Sequence, residues 1–147
     1  MDFIITKEKI TDVLAQAKSQ SKTPTLISGT WTSSHFVATV VVDDCLPAAE
    51  IHEYAHDVWY VIDGKGIFVL GGTLNNPQSN KLGEWLGESI TGGESIKIKE
   101  GDVIDIPQGV AHQLDARGGR LELLIVKINY KNGQQPTHSE TPWLIFN

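Results

Sequence analysis

Cysteine is almost missing from this chain. Cys45 is the only one, so no disulfide can close within the polypeptide, and a reducing compartment is the natural setting. A lone thiol of this kind reads first as a small apolar residue of the interior. Basic residues are also sparse: 12 lysines and arginines face 18 aspartates and glutamates, for a formal net charge of −6. They form no cluster of the kind a phosphate backbone requires, so nucleic acid is not an expected partner. No apolar run approaches the roughly 20 residues of a membrane-spanning helix. The opening Met1-Asp2-Phe3-Ile4 carries an acid where a secretion signal wants positive charge. The expectation is a cytoplasmic protein with no membrane partner.

What is present suits one compact unit. A length of 147 residues, 40% of them hydrophobic and 20% charged, can bury a core without cross-links and is wrong for a disordered chain. One domain over 1–147 is expected. Ile10, Val13, Leu14 and Ala17 repeat at helical spacing, which predicts a surface helix over 7–19 with one face on the core. From 25 to 129 the pattern changes to short β-branched and aromatic runs broken by glycine, proline and asparagine, the signature of an antiparallel barrel or sandwich. Strands are expected at 25–28, 35–42, 50–52, 58–62, 66–70, 95–99, 103–106, 112–115 and 121–129. Asp63-Gly64-Lys65-Gly66 between two apolar runs predicts a hairpin. Residues 71–93, rich in glycine and asparagine, predict a long loop with a short strand near Trp85. The segment 131–147 is polar and then ends on Trp143-Leu144-Ile145-Phe146, an apolar tail expected to pack on the barrel or on a second subunit.

Two segments carry the functional signal. The first, Glu50-Ile51-His52-Glu53-Tyr54-Ala55-His56-Asp57-Val58-Trp59, runs on to Gly64. The second is Gly101-Asp102-Val103-Ile104-Asp105-Ile106-Pro107-Gln108-Gly109-Val110-Ala111-His112. In the second, a glycine turn, a short apolar strand and a Pro-x-Gly turn lead to one histidine, an order that aims its side chain. Together they resemble the paired signature motifs of the cupin superfamily. Gly101, Pro107, Gly109 and His112 fit the second motif without a gap. In the first, His52 takes the second histidine position, Asp57 the acidic position and Gly64 the closing glycine. Glu50 stands where the first histidine is usual, Asp44 in place of the opening glycine, and Ala116 in place of a final asparagine. The resemblance implies an all-β fold, a single cupin (double-stranded β-helix, or jelly-roll) barrel with a short N-terminal α-helix, and it implies a homodimer.

Strand alternation puts Glu50 and His52 on one face, and Asp57, Trp59 and Val61 on one face of the following strand. A barrel can bring these to His112. Two imidazoles with one or two carboxylates suit a divalent transition metal: iron, manganese, nickel, cobalt, zinc or copper. The candidate ligands are thus His52, Asp57, His112 and Glu50. The competing reading is a metal-free polar cluster. His56 has three readings: a ligand in place of Asp57, an acid or base, or an exposed residue. Glu50 is a second candidate base. Trp59 is expected to line the cavity or to pack in the core, and Tyr54 to donate a hydrogen bond at the mouth. His35 and His138 have no partner pattern. Glu84 and Trp85 read as a lid or, more commonly for such a pair, as a solvated acid beside an anchoring tryptophan.

The resulting expectation is a metal-dependent cupin enzyme acting on a small anionic or polyhydroxylated organic molecule, by oxygenase or by isomerase or lyase chemistry. The alternative is a non-catalytic small-molecule-binding or sensor cupin, since one scaffold hosts both.

Overall fold

The computed structural model describes residues 4–130; His138 and the apolar tail at 143–146 lie outside them. Thr6 opens helix α1 (Lys7–Leu14) by accepting a hydrogen bond from the Lys9 N–H at 3.1 Å, satisfying one of the free donors of the first turn. Val13 and Leu14 are its buried residues. The helix stops at Leu14 rather than at residue 19. Gln16 and Ala17 already bond back only three residues, to Val13 and Leu14, the tightened turn that ends a helix. Gln20 then takes a positive φ of 57°. No helix among the described residues is long and apolar enough to cross a membrane.

The rest is strand: β1 (Lys22–Ser28), β2 (His35–Asp43), β3 (Ala49–His52), β4 (Ala55–Leu70), β5 (Thr73–Asn75), β6 (Gln78–Lys81), β7 (Glu84–Gly87), β8 (Ser89–Thr91), β9 (Glu94–Lys99), β10 (Val103–Ile106), β11 (His112–Asp115) and β12 (Arg120–Asn129). One sheet runs β1-β2-β12-β4-β10 and the other β9-β4-β11-β3-β7-β6, all antiparallel, with β5 and β8 as a separate ribbon. Helix α1 packs on β1 and β2. This is the antiparallel all-β architecture expected from the alternation pattern, in the jelly-roll form that the resemblance implies.

Two segments fold differently from the sequence expectation. Asp63-Gly64 does not turn a hairpin, and β4 runs through it from Ala55 to Leu70. Its first half pairs with β10 and β12, its second with β9 and β11. The register slips there: Glu122 faces Asp63 while Leu123 faces Val61, so Ile62 is an extra residue. This is a β-bulge, and it reverses the alternation, so that Asp57, Trp59 and Val61 are buried before it and Phe68 after it. The positive φ of Gly64 (92°) serves the bulge, and a Cβ there would sit 1.9 Å from the Arg120 carbonyl oxygen. The expected long loop at 71–93 has its expected short strand at Trp85, which is β7, but it also holds β5, β6 and β8. Their short, polar runs hide the strand pattern, and backbone pairing with β3 holds β7 in place.

Inward residues of both sheets, among them Val42, Val61, Leu121 and Leu123 at 0% exposure, form the main core with Trp59 and Phe68. Each aliphatic side chain so buried contributes about 1.5–3 kcal/mol. Cys45 is a free thiol packed against this cluster.

Candidate metal centre

The backbone explains why the two motifs meet. His112 lies directly opposite Glu50 in the β11–β3 pair, and Glu50 and His52 share a face of β3. The turn after Pro107 is tied to the first motif. The side chains converge accordingly. His112 Nε2 and His52 Nε2 each lie 3.6 Å from Glu50 Oε2, and the two rings are 5.1 Å apart between centroids. One ligand atom from each of Glu50, His52 and His112 lies within 4.8 Å of the other two.

The donor chemistry of this trio fits a metal. His112 is 2% exposed, and its Nδ1 donates to the Val110 carbonyl at 3.0 Å. In the neutral ring Nε2 is therefore a bare lone pair. That atom is buried with no hydrogen-bond partner, and it faces a carboxylate oxygen. Two acceptors turned toward each other in a buried site call for a cation between them. Their spacing is too long for a hydrogen bond and close to the about 3.4 Å between ligand atoms that bonds of about 2.1 Å give in a tetrahedral site. His52 Nδ1 donates to Glu84 Oε2 at 2.8 Å, which turns Nε2 to the same point in the carboxylate–histidine arrangement typical of metal-ligating imidazoles.

Charge is strongly coupled here. Burial pushes the Glu50 carboxyl up, but His112 when its Nε2 carries a proton, His52 and the Lys22 ammonium outweigh it and hold Glu50 well below the ordinary carboxylate range. Burial pulls His52 down, yet Glu50, Glu84 and the charge of Asp57 raise it to about 9. Glu84, itself partly desolvated, is lowered by His52. Without a metal, His52 thus carries a proton beside Glu50.

The other expected residues distribute around this trio. Asp57 is 2% exposed. Its Oδ2 lies 3.6 Å from His52 Nε2, and its Oδ1 lies 3.4 Å from Lys127 Nζ, at ion-pair distance without a hydrogen bond; it falls outside the three-residue group. Trp59 is 4% exposed and lies edge-on to His112 at 5.9 Å. It belongs both to the core and to the wall of a cavity of about 160 Å³ that Glu50, His52 and Asp57 also line. His56 falls on the opposite face of β4 from Asp57, where its Nε2 pairs with the exposed Asp105. Tyr54 lines a neighbouring hollow with Trp31, Leu82 and Glu84. His35 is exposed.

Three residues escaped the sequence reading. Glu84, read as a solvated acid or lid, is the His52 partner, placed by the direct pairing of His52 with Glu84 between β3 and β7. Lys22 bonds Glu50 Oε1 at 3.0 Å. Lys127 sits opposite Asp57. Its signal was in the sequence: Leu121, Leu123 and Ile125 alternate inward, and Lys127 continues that register.

A double-stranded β-helix with two histidines and a glutamate converging inside it defines a fold that carries a candidate three-residue metal site. The Cupin family's sequence profile matches residues 32–145, and the chain belongs to the cupin family. No curated protein matches the chain in sequence. Among solved structures, it superposes on a conserved protein with a double-stranded β-helix domain from Klebsiella pneumoniae, with TM-score 0.60 and 15% identity over 91% of this chain and 95% of that one. The DMSP lyase DddQ from Ruegeria pomeroyi gives TM-score 0.56 at 11% identity, over 82% of this chain and 53% of that one; the chain thus spans about half the length of DddQ. Pac13, a nucleoside dehydratase from Streptomyces, gives 0.53 at 16% identity over 79% and 76%. These likenesses are of fold.

Proposed function

We propose that this cupin is a metal-dependent enzyme acting on a small organic molecule, with Glu50, His52 and His112 as the ligands of one divalent transition ion. The observation that carries the reading is the buried, partnerless Nε2 of His112 facing the Glu50 carboxylate. When bound, the ion supplies a Lewis acid that polarises a carbonyl or hydroxyl oxygen, or a site for redox chemistry. The side chains do the rest. Trp59 gives the cavity an apolar wall. Glu84 fixes the His52 ring. Asp57 stands beside the ligands with its carboxylate directed at His52, either as a further ligand or as the acceptor of a substrate proton at Oδ2. The isomerase or lyase branch is taken first, since proteins named as a lyase and a dehydratase share the fold.

Elemental analysis of the purified protein, with an His112→Ala variant alongside, tests this. One equivalent of a transition metal, lost in the variant, is the expected result. A metal-free protein that also fails to take up zinc, manganese or iron would overturn it, and a redox-silent ion would sink the oxygenase branch alone.

A second reading, a non-catalytic binding or sensor cupin, draws on one observation: His56, a candidate base, is engaged with Asp105 on the other face of β4. Such a module would keep its ligand after chelation and show no turnover.

A further inference from the structure

The cavity beside the trio is lined by two lysines in a chain poor in basic residues. Lys22 and Lys127 both face it, with side chains 31% and 15% exposed. Lys127 occupies a position in β12 where the three preceding inward residues are apolar, so its charge is held there at a desolvation cost. Lys22 Nζ bonds Glu50 Oε1 at 3.0 Å and Lys127 Nζ pairs with Asp57 Oδ1 at 3.4 Å. Each ammonium carries three N–H donors, so one carboxylate contact apiece leaves donors on both lysines for a ligand.

A third donor points the same way. Trp59 lines the cavity, and its Nε1–H is buried with no acceptor. Buried donors are almost always paired, so an acceptor supplied by a ligand is the natural partner. Apolar residues flank these donors on the same sheet: Pro24 follows Lys22 in β1, Phe36 pairs with Lys127, and Ile125 lies between Ala38 and Trp59.

Charge counting agrees. With both imidazoles neutral, as ligation requires, the carboxylates of Glu50, Asp57 and Glu84 face the ammonium groups of Lys22 and Lys127, a deficit of one positive charge. A divalent ion on the trio turns that into an excess of one, in a half-open cavity lined partly by buried side chains. A neutral or cationic ligand leaves the excess unbalanced; a monoanion cancels it.

We infer that Lys22, Lys127 and the Trp59 Nε1–H form an anion-recognition wall, and that the substrate is a small organic carboxylate whose charged end lies on this wall while its reacting end reaches the trio. This rests on the metal reading above and specifies its substrate class. The cavity of about 160 Å³ is smaller than the about 300–1,000 Å³ usual for drug-sized ligands, so the ligand has a short carbon skeleton. The lysines bind and orient it; they are not assigned a step in bond breaking.

The test is calorimetric titration of the zinc-saturated full chain with 3-hydroxypropionate, a monoanion, and with its neutral amide, in wild type and in Lys127→Met, Lys22→Met and Lys127→Arg. Wild type is expected to prefer the acid by about tenfold or more, the range of a charge-assisted hydrogen bond. Each Met variant, kept saturated with zinc, should lose most of that preference, and Lys127→Arg should keep it. Acid binding that is unchanged in both Met variants would overturn the inference, since the metal alone would then hold the carboxylate. An amide bound as tightly as the acid would overturn it too. The metal-free protein is titrated in parallel, where a weaker preference that still depends on the lysines is expected. Failure to load zinc would count against the metal reading, and the lysine assignment then stands or falls on that parallel titration.

Discussion

Gly109 donates its backbone N–H to the carbonyl of His52 at 2.8 Å, so the turn of one motif is bonded to the histidine of the other. Pro107 and Gly109 therefore do more than aim His112. They lock the two ligand-bearing segments at a fixed separation before any ion arrives. Preorganisation of this kind is what a precise ligand geometry needs.

Glu84 should matter to metal affinity although it is not a ligand. Glu84→Gln removes the acceptor charge from His52 Nδ1 and is expected to weaken zinc binding by about 10–100-fold, with the circular dichroism spectrum unchanged. His112→Ala should cost more than that. Equal zinc affinity in wild type and Glu84→Gln, measured by competition with a chelator, would show that the His52 ring is held by packing alone.

Metal uptake should release a proton. With His52 raised to about 9 in the metal-free protein, an ion binding at pH 7 displaces the proton on its ring. Affinity should therefore rise about tenfold per pH unit toward pH 9 and then level off. The same shift sets stability without metal: the His52 contribution is complete below its ordinary value of 6.5 and is lost as pH rises through about 9. Glu50 and Glu84, held low, contribute above the ordinary carboxyl value and lose this as acid protonates them. Calorimetry in buffers of different ionisation enthalpy reads the released proton, and thermal melts of chelated protein between pH 6.5 and 9 read the stability. No proton release at pH 7 would contradict the assignment of His52.

Two glycines of positive φ should respond very differently to alanine. At Gly64 a Cβ would lie 1.9 Å from the Arg120 carbonyl oxygen, whereas at Gly109 (φ 78°) nothing lies within 4 Å. Gly109→Ala should cost only the left-handed strain, about 1–2 kcal/mol. Gly64→Ala must also move backbone, for roughly 4 kcal/mol or more. Urea unfolding of both variants measures the difference; similar midpoints would mean that the bulge in β4 yields easily.

His56 should be dispensable at the metal site. His56→Gln removes the imidazole contact with Asp105 on the far face of β4, a partly exposed contact worth about 0–1 kcal/mol. Zinc affinity should match wild type. A tenfold loss would show that the imidazole reaches the cavity after all.

The legible and illegible parts of this protein divide along a physical line. Alternation and turn residues gave β2, β10, β11 and β12 within a residue or two, because each is paired along its length, with one face buried in β10 and β12 and both in β2 and β11. The meeting of Glu50, His52 and His112 was legible because the flanking glycines and proline leave those segments few shapes. Glycine at Asp63-Gly64 reads the same in a bulge as in a hairpin, and only the partner strands decide which forms. Glu84 was illegible for a related reason: its role comes from a partner 32 residues away, and no local pattern records that. Lys127 could have been found, since a lysine in the inward register of β12 breaks a pattern that a purely structural strand would keep.

Because β4 belongs to both sheets, neither can peel away without breaking hydrogen bonds of the other. The molecule should therefore melt as one cooperative unit, with the amides around the bulge among the slowest to exchange with heavy water. Cutting the chain between Asp63 and Gly64 to make new termini would sever the strand that, among the described residues, alone staples the halves together.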